Sequence, residues 1–444
     1  MPALVELLAA RHLHGPLPDD VVDLMRPLDA AREEVHACLR RAFRWMELAR
    51  YRPQDFSYGL AAFFAVQMPN VLPGMWGGAV PPITTAGRHA RLDEFLAANP
   101  YWQPAPGARL LDVGCGFPPL TALDTATRLP NIEVTAIDPA FGRYLVHDDL
   151  EDYACLDEHS DVRFVTGAAI TPERRAALYR DMDATRARFT ALREALLPLL
   201  PPGDAPAEAS DARGRIVRHP IAAYERPNLH FLEVGIGADG LPPVDVVRCM
   251  NVLFYFPRDF YDVTRAWAAR QLRPGGLFIS GYNAPLGENS MYFVWRRDPE
   301  ALTPVEFAFD ATLLRALSPA FFGFRDDEEE RALLCPVLAA LAEDTAFRAA
   351  LDAACDEALA TTGLASRRPD GFLGGLPPNA DPAWVRAAWR DLEARLRDGG
   401  WPERAAEALT RVTGRRAWRN AVGHLAVDPL EWGYRPLDSN RAIH

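Results

Sequence analysis

The chain reads as an α/β protein built on a doubly wound, mostly parallel sheet. Short apolar runs (ARLLDVG from Ala108, IEVTAIDP from Ile132, VDVVRCM from Val244 and LRPGGLFISGY from Leu272) suit strands buried on both faces. Helical stretches alternate with them, beginning with LTALDTATRL from Leu120. The first run stops in two glycines, Gly114 and Gly116, as a parallel strand does when it turns into a helix at its carboxyl end.

Residues 1–104 read as a mostly helical region. In EEVHACLRRAFRWMEL, Val35, Leu39, Phe43 and Met46 recur at intervals of four, four and three, which gives one apolar face. The stretch from Tyr51 to Gly87 then mixes aromatics, glycines and prolines too closely for one regular helix. Tyr51, Phe56 and Tyr58, with Phe63, Phe64 and Trp76, are candidates to wall or cover a substrate pocket; the plainer alternative is a packed helix followed by an apolar loop. The α/β domain is expected over 105–299, with a helical insertion at about 142–227. Within that insertion Leu178, Met182, Phe189, Leu192 and Leu196 form a helical stripe, with Thr171 as N-cap. PPGDAPAEASDARG, from Pro201, reads as a mobile loop, and NLHFLEVGI, from Asn228, as one further strand. Residues 300–444 read as helical again, with Trp389, Trp418 and Trp432 in packing roles.

Composition narrows the function classes. The chain has 444 residues, 49% of them apolar, and a formal charge of −12, which disfavours nucleic acid or an anionic membrane as partner. No apolar segment approaches the ~20 residues needed to span a bilayer, and the first residues lack a secretory pattern, so a cytoplasmic protein is expected. The six cysteines form neither a zinc pattern nor a CxxxCxxC iron–sulfur motif, and no metal is expected.

The glycine turn carries the chemistry. Gly114 and Gly116 let a ligand approach the backbone on either side of Cys115, and Asp112 sets a carboxylate at the strand end. Asp138 closes the next strand, 22 positions after Gly116, where a carboxylate can accept both hydroxyls of a ribose. Its alternative is to start a turn before Pro139. A dinucleotide turn would carry a third glycine where GCGFPP has Pro119, and Pro118 and Pro119 remove two N–H donors a pyrophosphate would use. That disfavours NAD.

DVGCG at Asp112–Gly116 resembles the first loop of class I S-adenosylmethionine (SAM)-dependent methyltransferases, a variant of DxGxG, and the resemblance extends over about residues 105–285. It implies SAM as cofactor. Asp112 and the loop backbone (Gly114, Cys115, Gly116) would then lie beside the methionine portion, Asp138 on the ribose and Ile137 at the adenine edge. Met250 and Asn251 would reach the cofactor from the fourth strand position. CMNVLFYF is also similar to the CRNVLIYF of chemotaxis-receptor glutamate methyltransferases, which implies Asn251 near SAM and Tyr255 near the substrate entrance. The GFPP after the glycines departs from that family, as does the lack of a basic receptor-binding helix.

After the fifth strand, GYNAPLGENS offers Tyr282 to orient an acceptor, Asn283 to contact it and Glu288 to take a proton; the plainer alternative is a polar loop capping the sheet. The expected activity is methyl transfer to nitrogen or oxygen of a small, aromatic or amino-acid-like metabolite. Protein carboxyl methylation, a non-catalytic SAM-binding partner and a SAM-using non-methyl transferase or cyclase are the alternatives. A homodimer is left open.

Overall fold

A computed structural model of the chain describes residues 2–65, 85–139, 141–167, 178–283, 289–299, 301–315, 323, 325–375 and 381–435. The amino-terminal region contributes α1 (Leu4–Leu8), α2 (Asp19–Met25) and α3 (Glu33–Leu48). All four residues of the α3 stripe are buried, as the spacing requires. After α4 (Ala90–Ala98) the chain forms β1 (Ala108–Val113), α5 (Leu120–Arg128) and β2 (Ile132–Ile137).

An insertion follows: β3 (Tyr144–Asp148), β4 (Asp152–Leu156), β5 (Val162–Gly167), α6 (Met182–Leu196), β6 (Ala207–Asp211) and β7 (Gly214–Arg218). The core resumes with β8 (Leu229–Leu232), β9 (Val244–Met250), α7 (Arg258–Gln271), β10 (Leu272–Asn283), β11 (Ser290–Arg297) and β12 (Leu302–Phe309). The rest comprises α8 (Glu329–Leu341), α9 (Thr345–Thr362), α10 (Pro382–Asp398), α11 (Trp401–Thr413), β13 (Ala417–Arg419) and β14 (Leu425–Val427).

The central sheet runs β13-β14-β12-β11-β10-β9-β1-β2-β8. Strands β8, β2, β1, β9 and β10 are parallel neighbours, whereas β10 through β14 pair antiparallel. Only six residues join β10 to β11, too few for a parallel crossover, so the chain doubles back. The parallel expectation therefore holds for one half of the sheet.

Side chains alternate across β1: Leu111 and Val113 enter a large core shared with α3, α7, α8 and α9, and Leu110 enters a smaller one under α4 and α5.

The insertion corrects the expectation of a helical segment. It is a five-stranded antiparallel sheet, order β5-β4-β3-β7-β6, with α6 packed on one face through Phe189 and Leu196. The stretch read as a loop from Pro201 is largely the hairpin β6–β7. AEASD and GRIVR pair in register, and a Cβ on Gly214 would lie 2.1 Å from the His147 carbonyl oxygen. The long helix starts at Met182, where the Asp181 side chain accepts from the Ala184 N–H at 3.0 Å. Thr171 lies outside the described residues.

Candidate functional site

At the carboxyl end of β1 the backbone takes positive φ at Gly114 (70°) and Gly116 (68°). Gly114 also needs its missing side chain, because a Cβ there would sit 2.4 Å from Val252 Cγ2. The Gly114 and Cys115 N–H groups donate to the Ile137 carbonyl at 2.8 and 3.3 Å. The Gly116 N–H donates to Asp138 Oδ2 at 3.0 Å. The turn is thus stitched to the end of β2 through the two residues expected at the adenine edge and the ribose. Phe117 follows, with a cis bond to Pro118, and its ring lies 6.2 Å from Phe164 and 5.8 Å from Tyr224 (centroid to centroid), packed with Leu145 and Cys155 of the inserted sheet. Cys115 is buried, and burial, then Asp112 and Asp138, push its thiol well up, so it stays protonated.

Asp112 also holds a buried ion pair. It pairs with Arg248 in strand register, and on the α4/α5 face Arg248 Nε donates to Asp112 Oδ1 at 2.9 Å. Arg248 Nη1 reaches Asp93 Oδ1 at 2.8 Å and Nη2 reaches Thr125 Oγ1 at 2.9 Å. Burial opposes the Arg248 charge, but Asp112 and Asp93 outweigh it and keep the guanidinium protonated. Burial raises Asp93 to about 6 against the pull of Arg248 and Thr125. Asp112 Oδ2 is buried and has no hydrogen-bond partner among the described residues.

The turn at 85–89 spans this edge. Gly87 N–H donates to Asp124 of α5, Arg88 Nη2 donates to the Asn283 carbonyl at 2.5 Å, and Asn283 Nδ2 returns a bond to the Arg88 carbonyl at 2.9 Å. Asn251, at φ 61°, donates through Nδ2 to Asn283 Oδ1 at 2.6 Å and accepts the Asn283 N–H at 3.0 Å. The ends of β9 and β10 are therefore locked side by side. His89 is buried, its Nδ1 lacks a partner among the described residues, and burial, then Arg248 and Arg88, hold its pKa well below the usual range. It is a neutral imidazole.

The structure thus gathers Asp112, Gly114, Cys115, Gly116, Ile137, Asp138, Asn251 and Asn283 at one edge, with Met250 buried at the end of β9. Tyr282 points to the opposite face from Asn283. Its ring meets Phe254 edge-on at 5.7 Å and lies 5.2 Å from the Arg331 guanidinium carbon, and burial raises its phenol. Tyr255 is 43% exposed. Glu288 and Trp76 lie outside the described residues.

The amino-terminal aromatics sit elsewhere. Phe56 is stacked between Phe43 (5.2 Å) and Phe64 (6.2 Å) in the core. Tyr51 lines a cavity with Asp55, Arg315, Arg348 and Phe347, and Tyr58 packs on Gly375. Arg88, His89, Asp93 and Arg248 were not foreseen. The available signal was the lone arginine inside VDVVRCM, since a charge in a buried strand demands a partner. Among the described residues no group of His, Cys, Asp and Glu could hold a metal ion, and no helix is long and apolar enough to cross a membrane.

No family profile and no curated protein matches the chain. Solved structures do. PKMT2 from Rickettsia typhi, in complex with AdoHcy, is similar at 15% identity over 46% of this chain and 27% of that one, with a TM-score of 0.21. This chain thus matches little more than a quarter of that protein's length. An O-methyltransferase family 2 protein from Planctomyces limnophilus, in complex with apigenin, is similar at 16% identity over 63% and 74%, with a TM-score of 0.24. A putative protein-L-isoaspartate O-methyltransferase from Plasmodium falciparum, in complex with S-adenosyl-L-homocysteine, is similar at 11% identity over 65% and 94%, with a TM-score of 0.21. What the chain is similar to, in these three, is a protein holding AdoHcy or one named as an O-methyltransferase.

Proposed function

We propose that this chain is a SAM-dependent methyltransferase that modifies nitrogen or oxygen of a small metabolite. One observation carries the reading: the Gly114–Gly116 turn at the end of β1 faces Asp138 at the end of the adjacent parallel strand, and the Gly116 N–H fixes that carboxylate in place. This is the grip an adenosyl ribose needs, while Pro118 and Pro119 withhold the N–H donors a pyrophosphate needs. The residues also fit the other end of such a cofactor. Asp112 Oδ2 and His89 Nδ1 are buried polar atoms with no hydrogen bond among the described residues, suited to an ammonium and a carboxylate oxygen.

When bound, SAM supplies a methyl group on an electrophilic sulfonium. The chain's own contribution is placement and dryness. Asp138 would hold the ribose, the glycine turn would admit the chain next to the ribose, and Asn251 with Asn283 would fix the ends of β9 and β10 beneath the acceptor. Alignment of this kind supplies much of the acceleration in a displacement with no covalent enzyme intermediate. Tyr282 would orient the acceptor, and Glu288 is the proposed proton acceptor.

Calorimetric titration with S-adenosylhomocysteine is the test. The parent chain should bind, and Asp138→Ala should weaken binding at least tenfold with an unchanged circular dichroism spectrum. Equal affinity in the folded variant overturns the ribose assignment. Glu288→Gln should slow turnover while leaving that affinity unchanged.

A further inference from the structure

We infer that the cavity between the end of α3, the helical turn Ala311–Leu314 after β12, and helices α8 and α9 binds a small monocarboxylate with a short apolar tail. This second site stands apart from the candidate functional site and does not rest on the methyltransferase reading. In the central sheet β12 is four strands from β1, roughly 19 Å at about 4.8 Å per strand.

The cavity encloses about 380 Å³, its open mouth included, and Arg315, Arg348, Asp55 and Asp352 are in its lining. Arg315 is 4% exposed, yet only part of its guanidinium is used. Nη1 donates to the Asp352 carbonyl at 3.3 Å and to Asp356 Oδ1 at 3.4 Å. Nε and Nη2 are buried with no hydrogen bond. Asp55 Oδ1 stands 3.6 Å from Nη2, too far to bond it, and Cys355 beside Arg315 offers only a weak sulfur acceptor. Buried N–H groups of a cation are costly without an acceptor, and the cavity is where one can enter.

The acids nearby are already taken. Asp55 accepts from Arg52 Nη2 at 3.0 Å and Arg348 Nη2 at 2.9 Å; burial would raise its carboxyl, but Arg52 and then Arg315 hold it below the usual range. Asp352 accepts from Arg52 at 2.7 Å, and Asp356 from Arg367 Nη2 at 2.6 Å. Four guanidiniums (Arg52, Arg315, Arg348, Arg367) thus share three carboxylates (Asp55, Asp352, Asp356), which leaves one positive charge over. That excess asks for a single negative charge.

Geometry and lining choose its chemical class. Nε and Nη2 form one edge of the guanidinium, the fork that meets both oxygens of a carboxylate. Leu338, Leu341, Phe347 and Leu351 make much of the remaining lining apolar, as in sites that enclose a hydrocarbon group and fix it by a few polar contacts. A phosphate would turn its other oxygens toward these side chains and toward Asp55 and Asp352, whereas a carboxylate presents oxygens on one side only and carbon on the other.

The experiment is calorimetric titration of the full chain with sodium butyrate, beside butyramide and inorganic phosphate. The parent should bind butyrate, and bind the neutral amide and phosphate at least tenfold more weakly. Arg315→Gln should weaken butyrate binding at least tenfold. Ala342→Leu, which fills the cavity and leaves every ion in place, should do the same with an unchanged circular dichroism spectrum, and it decides the matter if Arg315→Gln does not fold. Asp138→Ala should bind butyrate as the parent does. No binding by the parent, equal binding of butyramide or phosphate, or full affinity in folded Ala342→Leu overturns the inference. Loss of butyrate binding in Asp138→Ala also overturns it, by placing the ligand in the other site.

Discussion

Both faces of the central sheet bury ion pairs, but only one also buries a carboxylate that no cation bonds among the described residues. Under α4 and α5, Arg248 is fully enclosed between Asp112 at 2.9 Å and Asp93 at 2.8 Å, with Thr125 completing the set. On the other face, whose core holds Phe278, Phe293, Trp295 and Phe307, the start of α8 and the residue before it bring in Glu328, Glu329 and Glu330. Glu328 pairs with Arg331, and Glu329 is held by Arg258 and Arg265, both at 2.8 Å. Among the described residues no cation bonds Glu330: its Oε2 is buried without a hydrogen-bond partner there, and burial, then Glu329, push its pKa up to about 7 against the weaker pull of Arg331. A buried charge survives beside a counter-charge; without one, the group keeps its proton instead.

The largest effect should come from breaking the paired face. Arg248→Met leaves two buried carboxylates facing each other and should cost about 3–5 kcal/mol, read as a lower urea midpoint. A loss under 1 kcal/mol would mean the ions are hydrated and the contrast between the faces is false.

Next comes Glu330. Its folded pKa lies above its ordinary 4.5, so the unfolded chain ionises first and stability falls as pH rises from 4.5 to about 7. Above that the penalty, about 3 kcal/mol, is fully present. Glu330→Gln should therefore stabilise the chain at pH 8 and match the parent near pH 4; equal denaturation curves at pH 8 would remove Glu330 from the comparison. The smallest change expected is Thr125→Val. It removes the hydroxyl that bonds both Asp93 and Arg248 and should cost about 1–2 kcal/mol. Calorimetric melting that leaves this variant unchanged would show that the two ions alone hold the face.

Much of the parallel half was legible because its signals are local. β1, β2 and β9 are apolar runs, and Gly114, Gly116 and Asp138 are the residue types that a turn at a strand's end needs. The role of Asp112 was read only in part, since its Oδ1 partner lies 136 positions away and is set by strand register. Within the inserted sheet, β6 escaped detection because its inward face carries only the small Ala207 and Ala209 and most of its length is exposed, so its apolar alternation is weak. Phe56 looked like a pocket wall by composition and is stacked in the core, whereas Tyr51 does line a cavity, and an aromatic that lines a site and one that fills a core have the same letters. Burial tells them apart, and burial is a property of the fold.

Phe117 comes immediately after Gly116 and carries the inserted sheet on its ring. Warming that parts this contact should slacken the neighbouring glycine segment while the central strands stay intact. Amide exchange at 114–120 is then expected to rise in step with exchange at 144–167, so that whatever steadies the outlying sheet also steadies the glycine turn.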